Sequence, residues 1–258
     1  MKQISLTLVV VTLFAGITIV GCPPPEVKKE SPTLTFDATS ETSAAEALGG
    51  HVLSFTPTED GGTFTIDQEV LSDTLGPLDM TTVEGVETLD VADGYDEFAF
   101  GGDETFTLYG EAYASVWVGG NGTLAFGEDA PLADATHEDT VGISALRAEI
   151  EGGVVTAAVD SGSFIVDWAG VTTVVPADDA TKQDAGTSNV QVQGALDSND
   201  AAGVIDIFYE VVDPSLETVT VGVSSGVAGN IVDATDETLS AETETEGETE
   251  GETEGATE

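Results

Sequence analysis

Tyr113-Ala114-Ser115-Val116-Trp117-Val118-Gly119-Gly120-Asn121-Gly122-Thr123-Leu124-Ala125-Phe126 is the stretch that decides the fold. Apolar and β-branched residues alternate on both sides of a Gly-Gly-Asn-Gly turn, the period-two pattern of a strand pair with one buried face. Asn121-Gly122 supplies two residues tolerant of positive φ, which a tight hairpin needs. The same pattern recurs along the chain in Val52-Leu53-Ser54-Phe55, Phe64-Thr65-Ile66, Phe98-Ala99-Phe100, Phe106-Thr107-Leu108 and Phe164-Ile165-Val166-Asp167-Trp168. Val190 to Gln193 and Val204 to Tyr209 flank the polar turn Asp197-Ser198-Asn199-Asp200 and read as a second hairpin. Helical signals are few, and Ser40 to Leu48 reads as one or two turns capped by Ser40. About ten short strands in roughly 200 residues, separated by turn residues, predict an all-β fold, an antiparallel β-sandwich.

Outside this block the composition changes. Met1-Lys2-Gln3 is followed by an apolar run from Ile4 to Val20, the charged start and short apolar core of a secretory signal. The run ends in Ile19-Val20-Gly21-Cys22, which resembles the lipobox of bacterial lipoproteins: an aliphatic residue, a small residue, then the obligatory Cys. Cleavage between Gly21 and Cys22 and acylation of Cys22 would anchor the chain by its lipid, since each buried methylene contributes ~0.8 kcal/mol. The alternative is an uncleaved spanning helix, yet such a helix has no reason to end on the chain's one cysteine, just before Pro23-Pro24-Pro25. The expected place is extracytoplasmic, with Pro23 rather than Asp after the Cys favouring the outer membrane or cell surface. Residues 1–21 are thus read as the signal peptide and 22–32 as the lipidated Cys with a Pro-rich tether. Residues 33–92 form an N-terminal β-rich region and 93–232 the sandwich. Residues 233–258, where Glu-Thr-Glu-Gly repeats, read as a disordered acidic tail, because such a segment cannot bury enough apolar surface to offset its ordering entropy.

The whole chain carries five Lys and Arg against 49 Asp and Glu. Losing Lys2 with the signal leaves four against 49, a net of −45 (4 − 49). Such a surface repels phosphate backbones and anionic lipid heads, so nucleic acid is excluded as a partner and membrane contact is left to the lipid. The acidity serves solubility, diffuse binding of calcium or other cations, or recognition of a basic partner; composition does not separate these. With Cys22 acylated no internal disulfide can form, and stability must come from an apolar core.

From about Tyr95 to Val227 the strand order resembles nidogen-type extracellular domains and related β-sandwich modules of secreted bacterial proteins. The resemblance rests on Phe106-Thr107-Leu108-Tyr109-Gly110, on Tyr113 through Gly127 with its Asn121-Gly122 and Phe126-Gly127, and on Ile143-Ser144-Ala145-Leu146. It extends to Phe164-Ile165-Val166-Asp167-Trp168-Ala169-Gly170-Val171, the closing pair Val190–Leu196 and Gly203–Tyr209, and Val221 to Gly226. It covers about half the chain. Where that family carries an Asp-rich segment, this chain reads Arg147-Ala148-Glu149. The resemblance implies a binding or adhesion module and no catalysis, with an unknown protein or polysaccharide of the envelope as partner.

Four motifs bear on chemistry. Gly222-Val223-Ser224-Ser225-Gly226 has the G-x-S-x-G form, but a hydrolase elbow needs a following helix and a downstream His, and both His51 and His137 lie upstream. Ala157-Ala158-Val159-Asp160-Ser161-Gly162-Ser163 matches the aspartic-protease loop, which needs a second carboxylate that only a symmetric dimer would supply; it equally reads as a plain hairpin turn. Asp197, Asn199 and Asp200 begin like a calcium loop, though Ala201, Ala202 and Phe208 stand where a ligand, a glycine and a bidentate Glu belong. Asp90, Asp93, Asp96 and Glu97 form a further acidic group without ligand spacing. Trp117 and Trp168 are read as core, the alternative being platforms for sugar rings. The reading is therefore a structural or interaction module of the envelope without a required cofactor. Its alternatives are a carbohydrate- or calcium-dependent adhesion module and a retropepsin-like hydrolase.

Overall fold

The computed structural model describes residues 29–36, 42–92, 94–131, 136–148, 150–173, 186–216, 218–227 and 231–233. The signal peptide, Gly21, Cys22, most of the tether, Asp93, Glu149 and the repeat tail from residue 234 lie outside the described residues. In chain order the elements are β1 (Ser31–Phe36), α1 (Ala44–Leu48), β2 (His51–Pro57), β3 (Phe64–Val70), β4 (Glu87–Thr88) and β5 (Tyr95–Ala99). Next come β6 (Phe106–Leu108), β7 (Glu111–Tyr113), β8 (Ser115–Gly119), β9 (Thr123–Ala125), a 3₁₀ turn (His137–Asp139), β10 (Val141–Arg147) and β11 (Ile150–Glu151). The last are β12 (Val154–Asp160), β13 (Ser163–Thr173), β14 (Thr187–Ala195), β15 (Ile205–Val211), β16 (Val219–Ser225) and β17 (Ile231–Asp233).

The strands form two antiparallel sheets. One has the order β17-β1-β16-β10-β9-β8-β5, the other β3-β2-β15-β14-β13-β12-β4 with β11 also on β13, and β6-β7 is a separate hairpin. The exception to antiparallel pairing is β17, which runs parallel to β1, Ser31 opposite Ile231. The sheets face each other across one apolar core. Alternation decides which side chains enter it. In β13 Phe164, Val166 and Trp168 point inward and are essentially fully buried. Trp168 Nε1 donates to the Gly119 carbonyl at 2.9 Å, and Tyr209 Oη donates to the Ala145 carbonyl at 2.6 Å. Each of these bonds crosses from the second sheet to the first, so the two large polar-tipped aromatics are satisfied where they are buried. Phe100, Phe106 and Phe126 gather on Phe164, with Phe100 stacked on it at 5.1 Å between ring centroids.

The division between residues 33–92 and 93–232 marks how far the family resemblance reaches and is no boundary in the fold. β1 pairs with β16, β2 with β15, and β4 with β12, so the early strands complete both sheets. The tether is correspondingly shorter than read, because Ser31 and Pro32 belong to β1. The short helix is capped by Ser43, not Ser40: Ser43 Oγ accepts from the Glu46 amide, and the Glu46 carboxylate accepts from the Ser43 amide, a capping box. The β8–β9 turn also differs from expectation. Only Gly122 has positive φ (+78°), Asn121 does not, so the loop is a three-residue type closed by a left-handed glycine.

Leu71 to Val86, between β3 and β4, contains no strand or helix and reaches the outer face of the second sheet. Gln191 holds it there, accepting from the Leu78 amide at 2.8 Å and donating to the Leu78 carbonyl at 2.9 Å. Ile165, which also points to that outer face, is as buried as its inward neighbours.

Strand directions assign the two ends of the sandwich. β1 starts at the end where the tether enters, and that end also carries the β2–β3 turn, the β12–β13 turn and the β14–β15 loop. Glu30 is fixed there: its amide donates to the Gly62 carbonyl, and its own carbonyl accepts from Tyr109 Oη at 2.8 Å. The opposite end, about 20 Å away by the length of a six-residue strand, carries the β8–β9 turn, the start of β5 and the β11–β12 turn.

Candidate functional site

Both motifs that most invited chemistry lie at the tether end, packed on each other. Asp160 and Ser163 are the last paired residues of β12 and β13, with Ser161 (φ +50°) and Gly162 (φ +78°) between them. Two successive positive φ values make a type I′ turn, the hairpin geometry that suits strand twist. Ser161 Oγ donates to the Asp160 carboxylate at 3.0 Å. The Asp-Ser-Gly stretch is thus a two-residue hairpin tip.

Against it lies the loop of Asp197, Asn199 and Asp200. The Asp197 carboxylate accepts from Thr105 Oγ1 at 2.7 Å and from Thr107 through both its amide and its hydroxyl, at 3.1 and 3.0 Å. Asn199 Oδ1 accepts from the Ala201 amide, and its Nδ2 reaches the Gly162 carbonyl. Asp200 is exposed. These side chains tie the β14–β15 loop to β6 and to the hairpin tip, and among the described residues no three acidic, His or Cys groups form a metal cage. Gly222 to Gly226 is the end of β16, with Ser224 buried in the strand.

His137 occupies a place that sequence reasoning did not give it. The 3₁₀ turn, whose Asp139 carboxylate accepts from the Thr136 amide and hydroxyl, lays the imidazole on the outer face of the first sheet. There Nδ1 meets Ser144 Oγ at 2.8 Å and Nε2 meets Thr33 Oγ1 at 3.1 Å. A neutral ring has one N–H, so it donates to one hydroxyl and accepts from the other. Burial, aided by the positive Arg147, pushes this imidazole down to about 4. A ring so weakly basic, with a hydroxyl and no carboxylate behind it, is poorly suited to take a proton from Ser144 at neutral pH. The adjoining cavity is only about 10 Å³. The trio pins the turn to the sheet.

The two tryptophans part company. Trp168 is 1% exposed in the core. Trp117 departs from the core reading: Val116 and Val118 point inward, so it lies half-buried on the outer face between Glu97 and Ala125, its indole N–H buried without a hydrogen-bond partner.

At the end remote from the tether opens a cleft of about 620 Å³. Its walls are Thr88 to Ala92 with Gly94 and Tyr95, Gly120 and Asn121 of the β8–β9 turn, and Ile150 with Gly152 to Val155. Gly153 leaves no room for a side chain, a Cβ there standing 2.7 Å from the Ala169 carbonyl, and Gly120 is packed tightly, its Cβ position 3.0 Å from the Val91 carbonyl. The Asp90 amide donates to Asp96 Oδ2 at 2.9 Å, which fixes the segment and leaves the exposed Asp90 carboxylate at the mouth.

No family model, curated protein or solved structure compared with the chain matches it. The site therefore rests on geometry. Among the described residues it is a mixed cleft of aliphatic walls and bare backbone with the exposed Asp90 carboxylate, suited to holding a ligand.

Proposed function

We propose that this chain is a membrane-anchored extracytoplasmic lipoprotein that acts as a non-catalytic structural or interaction module of the cell envelope. The observation that carries the reading is Ile19-Val20-Gly21-Cys22 at the end of an apolar signal, with the chain's one cysteine where acylation needs a thiol. The fold is compatible with it. β1 begins nine positions after Cys22 (31 − 22), and Tyr109 and Gly62 grip Glu30 at the point of entry, so the sandwich would stand close to the membrane on a short leash.

Metabolic labelling with a fatty acid tests the anchor. The wild-type chain incorporates label and fractionates with membranes, whereas Cys22→Ser accumulates as unlabelled precursor; normal processing of Cys22→Ser would overturn the assignment. The carbohydrate-dependent alternative draws support from Trp117, the one tryptophan outside the core. Glycan binding lost in Trp117→Ala with unchanged stability would favour it.

A further inference from the structure

We propose that the cleft remote from the tether receives a cationic side chain, lysine or arginine, presented by an extended segment of a partner protein. The proposal deepens the reading of the chain as an interaction module and rests on it for orientation, since the tether places this end away from the membrane.

Size is the first argument. At about 620 Å³ the cleft is far too large for a bare ion and lies within the roughly 300–1,000 Å³ of ordinary ligand sites. It has room for one long side chain and a length of the backbone that bears it. The chemistry of the walls is the second. Leu89, Val91, Ile150, Val154 and Val155 supply an aliphatic lining, and Val154 remains 52% exposed at the start of β12. A hydrocarbon stem ending in a charge fits such a surface, because the stem covers apolar wall while the head stays at the wet mouth. At that mouth stands Asp90, exposed and held in place through its own amide by Asp96.

Charge decides the sign. No basic residue is among the described lining residues, and the chain carries a net charge of −44. An anionic ligand would enter against both the local carboxylate and the field of the whole molecule, which steers cations inward. Access for a backbone is the third argument. Gly120, Gly152 and Gly153 present main chain without side chains, and the pairing along β12, carried on by the Leu89 amide to the Val155 carbonyl, stops short of the exposed Val154, where an extended segment can approach.

The test uses the full chain in detergent micelles. Acetyl-pentalysine amide, pentaglutamine and the neutral sugar chitotriose are titrated calorimetrically at low and high salt. Pentalysine is expected to bind, and the other two are not. Asp90→Asn should weaken pentalysine about fivefold, the effect of one partly exposed ion pair. Val154→Trp, which fills the cleft without changing charge, should weaken it too. Glu111→Gln, an exposed site at the tether end, should change it by less than about twofold. Near-UV circular dichroism verifies that each variant is folded. Equal weakening by Asp90→Asn and Glu111→Gln would show diffuse attraction and overturn the proposal, as would chitotriose binding abolished by Val154→Trp. Absence of acyl label on Cys22 would refute the anchor alone, because cleft binding in micelles does not depend on it.

Discussion

Truncating Trp168 to Ala should come close to unfolding the domain. The ring is 1% exposed, flanked across the sheet by Val155 and Val190, and is among the largest buried side chains described. Removing it forfeits about 3 to 5 kcal/mol of transfer and cavity energy. It also strips the Gly119 carbonyl of its donor, and a buried acceptor left unmet costs about 1 to 3 kcal/mol more. The two overlap, since a cavity at this site admits some relaxation, so a total of about 4 to 6 kcal/mol is expected. A domain without disulfides has about 5 to 15 kcal/mol in all. Trp168→Phe keeps most of the ring and loses only the bond, and should cost about 1 to 2 kcal/mol. Urea melts of the full chain followed by far-UV circular dichroism measure both, with unchanged slopes licensing the comparison. A loss below about 1 kcal/mol for the alanine variant would refute the assignment of this face to the core.

Acid stability should depend on His137. Its folded value is depressed from 6.5 to about 4, so between those values the unfolded chain binds a proton that the folded chain does not, and stability present above 6.5 is lost as pH falls toward 4, by about 3 kcal/mol. In His137→Gln the stability difference between about pH 7.5 and pH 4 should shrink by that amount; identical pH slopes would show that the imidazole takes up its proton as readily in the folded chain as in the unfolded one. Asp167, raised by burial, works in the opposite direction but equally in both proteins. Asp197→Ala, which frees Thr105 and Thr107, should cost about 1 to 2 kcal/mol, and calcium should leave the melting temperature unchanged. A calcium-dependent rise abolished in Asp200→Asn would restore that loop as an ion site. Ser161→Asn, better suited to φ +50°, should gain about 0.5 kcal/mol in the same melts. Deleting residues 240–258 should shift the melting temperature by no more than about 1 °C, because the Glu-Thr-Glu-Gly repeat has no apolar surface to bury.

Strands with one wet face were legible in the sequence. Phe164 to Trp168 alternates visibly, and both hairpins announced their turns. β1 was not, because it is buried on nearly all sides and carries Pro32, so it shows neither alternation nor the usual composition of a central strand. β4 and β17 have two and three residues, too short for any period. The strap at Leu78 depends on Gln191, more than 100 positions away, and nothing local predicts that contact. The cleft is assembled from three separate segments and from backbone, so no motif encodes it. His137 had one faint signal, the Thr136-x-x-Asp139 spacing of a helical cap, but its partners Thr33 and Ser144 come from two different strands. Trp117 misled because β8 looks apolar on both faces; only the register shows which residues turn inward.

The hydrogen bond between Ser31 and Ser225 joins residues 194 positions apart. The first strand to be synthesised is thus among the last to find its place, since β1 sits between β16 and β17 and neither exists until nearly the whole chain has been made. A topology of such high contact order folds slowly, and a nascent chain cannot complete its first sheet from its own leading half. Under the proposed export this delay would be an advantage: the chain would cross the membrane before the sandwich could close, and the closing step would then draw both ends of the domain together.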